Sequence, residues 1–177
     1  MTLGDVEGVA PGTVVGVDLG LRTGVAVLDG VVDGPVRLRR YTSTHIGSRS
    51  ALRRGAVGML AEVGPIAVLA VEGDEGLARI WERAARGTGA EVVRVHAERW
   101  REVLLLPRER RTGKLAKAAA QAKAVRVIEW SRANGGRAPA PVGPLRHDTA
   151  DAIMIAVWAA VALGGVEVRS LPFDVPG

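Results

Sequence analysis

Residues 65–73 read PIAVLAVEG, apolar from Ile66 to Val71 without alternation and ending in Glu72. A run of that length with no polar member is the mark of a strand buried on both faces, and such a strand needs cover on both sides. The flanks supply it. Residues 48–64 place Leu52, Val57, Leu60 and Ala61 near helical spacing and stop at Gly64-Pro65. Residues 76–89 form a second helical segment, closed by Gly87 and Gly89, and EVVRVH (91–96) is another strand. Helix, strand, helix, strand in that order predicts parallel strands joined by right-handed crossovers.

The N-terminal part has a different rhythm. Thr13 to Asp18 and Thr23 to Leu28 are two apolar strands with a short turn between them, an antiparallel hairpin. PVRLRRYTS (35–43) alternates Val36 and Leu38 with Arg37 and Arg39, a half-exposed third strand. After the parallel half come a short helix over 98–105, a charged loop PRERRTGK (107–114), and an Ala-rich helix over 114–134 ended by Asn134-Gly135-Gly136. A Pro-rich loop (137–144) leads to a last helix over 146–165, and residues 166–177 read as a tail. The expectation is one α/β domain over 1–177 with its core in 13–163, tails at 1–12 and 164–177, and a mixed five-stranded sheet flanked by helices. Three of its strands are antiparallel and two are parallel.

Composition narrows the classes. With 177 residues, 47% of them hydrophobic, the chain can bury a core, and the absence of cysteine excludes disulfides and thiolate metal sites. Residues 1–13 carry Asp5 and Glu7 and no apolar stretch, so no signal peptide is expected. The longest apolar stretch, 152–166, is too short for a comfortable membrane span and reads as a buried helix. These features suit a cytoplasmic protein. The formal net charge of +5 comes chiefly from arginine, the only lysines being Lys114, Lys117 and Lys123. That balance favours anionic partners, nucleic acid first; a composition inherited from a GC-rich genome explains it as well.

Four carboxylates break the apolar pattern. Asp18 and Glu72 each end a buried strand; if those strands are neighbours, the two acids face each other and repel unless a cation intervenes. Asp148 and Asp151, in HDTAD, are three apart and share a face of the last helix at its N-terminal turn. Taken singly, Asp18 is a strand-end turn residue, Glu72 a loop acid and Asp148 a helix-start residue. Asp151 lies in a segment apolar on nearly every side, where an unpaired charge is costly. Helix-dipole stabilisation of about 0.3–1 kcal/mol cannot hold four acids together, whereas Mg²⁺, which prefers hard oxygen ligands, can. His147 projects about 100° away from Asp148 around the helix, toward solvent, nucleic acid or a metal-bound water.

The ordered set VGVDLGLRTGVAVLD, VLAVEG, a Lys-bearing helix and HDTADAIMIAVWAA resembles the RuvC-type Holliday-junction resolvases of the ribonuclease H-like superfamily, across residues 13–163. Asp18, Glu72, Asp148 and Asp151 match that family's acidic positions. The resemblance implies a ribonuclease H-like fold and two Mg²⁺ ions per site, with Mn²⁺ as a substitute. It also implies hydrolysis of the phosphodiester backbone by paired symmetric nicks, leaving 5′-phosphate and 3′-hydroxyl ends. It implies a homodimer on four-way DNA, with no membrane and no nucleotide cofactor, in a bacterium, a phage-infected cell or an organelle. By placement, Lys114, Lys117, Arg108, Arg110 and Arg111 become candidates for gripping the DNA backbone, with a solvated charged loop as the plain alternative. The helices over 114–134 and 76–88, with Trp130 and Trp81, are candidates for the dimer surface. Three rivals share features: an RNA-processing nuclease of the same fold, a non-catalytic DNA-binding domain, and an actin-like ATP-binding module. The last needs two lobes and a second phosphate loop, which is not visible.

Overall fold

The structure is a computed structural model that describes residues 12–20, 22–31 and 35–177. Residues 1–11 of the expected N-terminal tail, where no signal peptide is expected, lie outside the described residues, as does Leu21 of the expected hairpin turn. Five strands form one sheet: β1 (Thr13–Leu19), β2 (Arg22–Asp29), β3 (Arg37–His45), β4 (Ile66–Gly73) and β5 (Glu91–Arg94), in the order β3-β2-β1-β4-β5. The β1–β2 and β2–β3 pairs are antiparallel, and β1–β4 and β4–β5 are parallel. This is the arrangement expected from the sequence, with β1 and β4 side by side at the centre.

Two layers of helix cover the sheet. The two-residue strand period sends Val15, Val17, Leu69 and Val71 to one face, against α1 (Arg49–Val63) and α2 (Glu75–Ala85). Val14, Ala26, Leu28, Val68 and Ala70 go to the other, against α3 (Ala97–Leu104), α4 (Gly113–Ala133) and α5 (His147–Ala162). Helix starts are capped from the sequence: Ser48 accepts from the Ala51 N–H, Asp74 from Leu77 and Thr112 from Leu115. No helix among the described residues is long and apolar enough to cross a membrane; α5, apolar almost throughout, is instead buried against the sheet.

Four expectations are corrected. The helix expected over 76–89 ends at Ala85 and tightens into a 3₁₀ turn, Arg86–Thr88, before Gly89 turns left-handed at φ 74°. The charged loop at 107–114 is partly ordered by a 3₁₀ turn, Pro107–Arg110, whose Glu109 accepts from the Leu106 N–H and pairs with Lys123 at 3.0 Å. Residues 166–177 are no tail: Val166, Leu171 and Phe173 are buried, and Lys123 donates to the Asp174 carbonyl and lies 4.9 Å over the Phe173 ring. Three apolar side chains at irregular spacing carry no periodic signal, so the sequence does not show that this segment packs. Finally, Trp81 is completely buried between α2 and the sheet, which removes it from any dimer surface, while Trp130 is half-buried against the core.

Candidate active site

The parallel pairing of β1 with β4 sets Asp18 opposite Glu72, which puts their backbones about 4.8 Å apart, the ordinary inter-strand spacing. Strand alternation turns both toward the face covered by α5. Two glycines then let α5 lie directly on the strands. A Cβ at Gly16 would stand 2.3 Å from the Ala152 carbonyl oxygen, and one at Gly24, the partner of Asp18 in β2, would stand 1.9 Å from that of Asp148. Backbone-to-backbone approach at these two points seats the first turn of α5, with Asp148 and Asp151, over the ends of β1 and β4.

The result is an open cleft of about 610 Å³ lined by acids and by a rim of bases. Asp18, Asp148 and Asp151 line it together with Arg22, Lys117, Arg146 and His147. Glu72 is not among the lining residues; its Oε2 accepts from Trp100 Nε1 at 2.6 Å. Asp148 is held from two sides, by the Ser43 hydroxyl and by Arg146 at 3.3 Å. Asp151 is buried, and Arg101 approaches its Oδ2 at 3.9 Å.

Burial and mutual repulsion dominate the electrostatics. Asp18 is pushed up to about 8, first by burial and then by the charges of Asp151, Glu72 and Asp148, with Arg101 pulling the other way. Asp151 is pushed up to about 6 by burial, opposed by Arg101 and reinforced by Glu72. Burial also raises Glu72, and the Trp100 hydrogen bond and Arg101 oppose it.

The donor chemistry fits a hard divalent cation: every candidate ligand is a carboxylate oxygen, and burial, with the neighbouring acids adding to it, disfavours the charge on Asp18 that a cation would compensate. Among the described residues, no three acidic or histidine side chains converge closely enough, as they stand, to enclose an ion; Glu72 and Asp148 are turned to the partners named above.

The basic candidates divide. Lys117 lines the cleft, while Lys114 is exposed at the start of α4. Arg108 and Arg111 are exposed, and Arg110 lies 3.7 Å from Glu102. Sequence reasoning missed Trp100, Arg101, Ser43 and Arg146. Trp100 and Arg101 sit on a short helix with no pattern of their own, and Ser43 meets Asp148 across 105 residues of chain.

No family model and no curated protein matches the sequence. Among solved structures, T. thermophilus RuvC in complex with Holliday junction substrate is similar to this chain, with a TM-score of 0.56 at 19% identity. The match covers 87% of this chain and 97% of that one. The protein thus has the RuvC-type, ribonuclease H-like fold.

Proposed function

We propose that this protein is a divalent-metal-dependent endonuclease that resolves four-way DNA junctions by symmetric paired nicks, leaving 5′-phosphate and 3′-hydroxyl ends. The observation that carries the reading is the in-register pairing of Asp18 with Glu72 beneath the acidic first turn of α5. Its support is the fold, which is similar to a RuvC solved with a Holliday junction bound. Asp18, Glu72, Asp148 and Asp151 would hold the ions, Mg²⁺ or Mn²⁺; when bound, these supply an activated water and positive charge for the leaving 3′ oxygen.

The chain's own residues do the rest. Arg22, Lys117, Arg146 and His147 border the acids and would meet phosphate oxygens. The exposed Arg108, Arg110, Arg111 and Lys114, just before and at the start of α4, would grip an arm of the duplex without reading its sequence. A homodimer would set two such clefts on a two-fold substrate.

The test is incubation with labelled four-way junction, linear duplex and structured RNA, with and without Mg²⁺. Junction nicked at symmetric positions only with Mg²⁺, giving ligatable products, supports the reading. Asp18→Asn should abolish cleavage and leave junction binding intact. Unchanged nicking by that variant, or preferential cutting of RNA, would overturn it.

A further inference from the structure

We infer that Arg101 is the resident counter-ion of the acid cluster, and that a divalent cation must displace its guanidinium to load the site. This rests on the four acids being a metal site.

The placement of Arg101 is fixed by its neighbour. Trp100 is completely buried on α3 and ties that helix to the end of β4 through the Glu72 hydrogen bond. The next residue, Arg101, reaches the cluster from the same helix, 3.9 Å from Asp151. Its guanidinium folds 5.0 Å over the Trp100 ring and lies in the fields of Asp18, Glu72 and Asp151. Yet it is poorly bonded there. The separation of 3.9 Å from Asp151 is too long for a hydrogen bond, and Arg101 Nε is buried with no partner among the described residues. A structural Arg–carboxylate pair is ordinarily bidentate and short. Arg101 is held by net charge, so a more compact, doubly charged cation can take its place.

There is also somewhere for it to go. Arg101 lines a cavity of about 180 Å³ between α3 and the start of α4, shared with Glu98, Glu102, Arg110 and Thr112. Glu98 lies three residues before Arg101 on the same helix, within reach of its side chain. A guanidinium withdrawn toward Glu98 keeps an anionic partner and frees Asp151.

Calorimetric titration with Mn²⁺, without DNA, tests this on the wild type, Arg101→Gln and Arg101→Lys. Removing one opposing charge at this range should tighten Mn²⁺ binding by about tenfold or more in Arg101→Gln, while Arg101→Lys stays near the wild type. Equal or weaker binding by Arg101→Gln, with wild-type binding intact, overturns the inference and leaves the metal site standing. No binding by any of the three overturns both. Should Arg101→Gln not fold, the wild type decides: its Arg101 Nε–H resonance, assigned by its loss in Arg101→Lys, must shift on saturation with Mg²⁺, and an unmoved resonance sinks the displacement.

Discussion

Asp18 occupies a position where a carboxylate is electrostatically unwelcome, and pH should report it. In the unfolded chain this group titrates at its ordinary 3.8, while in the metal-free fold it titrates at about 8. Between those values the native state holds a proton that the unfolded state has released, so stability falls as pH rises across the window. Asn mimics the protonated side chain and cannot ionise. Thermal unfolding in chelator should therefore show the wild type declining more steeply than Asp18→Asn from about pH 4 to pH 8. Above that range the variant should be the more stable of the two. A variant as steep as the wild type would mean that Asp18 is not buried among like charges.

The elements are positioned by what is missing from their side chains. Gly16 and Gly24 lie on the face that receives α5, and each is overlapped by helix backbone, which cannot swing aside as a side-chain tip can. Gly24→Ala would push the first turn of α5 off β2. Overpacking of this kind costs about 1–3 kcal/mol, or a drop of roughly 2–12 °C in Tm for a chain of this size. Because the displaced turn carries Asp148, cleavage should fall further than the loss of folded protein explains. A Gly24→Ala protein with wild-type Tm and activity would refute the close approach. In the sequence these glycines look like weak points in apolar strands; only the packing of α5 shows why they are there.

On the scale of the whole molecule, Lys123 ties distant parts together. It is buried in α4 and bonds the Leu104 carbonyl, the Asp174 carbonyl and Glu109, joining α3, the 107–110 turn and the C-terminal segment. Lys123→Met keeps the stem's volume but strands Glu109 and two carbonyls. Removing one partner of a buried pair costs about 3–5 kcal/mol; partial exposure of Glu109 brings the expectation to about 2–3 kcal/mol in urea denaturation. No loss would show that the C-terminal segment is not docked. Charge acts at this scale too. Several arginines are spent on ion pairs, among them the half-buried Arg39–Asp29 and the exposed Arg79–Glu75 and Arg169–Glu167, so under the proposed function the bases around the cleft are the ones expected to carry DNA affinity. With about six phosphate contacts, junction affinity should drop by roughly 10³-fold between 50 and 200 mM salt; a flat response in a binding titration would remove the backbone grip.

The sheet, its mixed direction and the four acids were legible in the sequence because each is written in local pattern: unbroken apolar runs, their polar ends, and two acids three apart at a helix start. Strand pairing was the step from pattern to place, and it carried Asp18 to Glu72. The partners that hold those acids were not legible. Trp100, Arg101, Ser43 and Arg146 acquire their meaning from contacts across layers, and periodicity records which face of an element is buried, never which side chain waits on the other side. The same reason hid the docked C-terminal segment and the buried Lys123, whose charge reads as surface until three elements are seen to close around it.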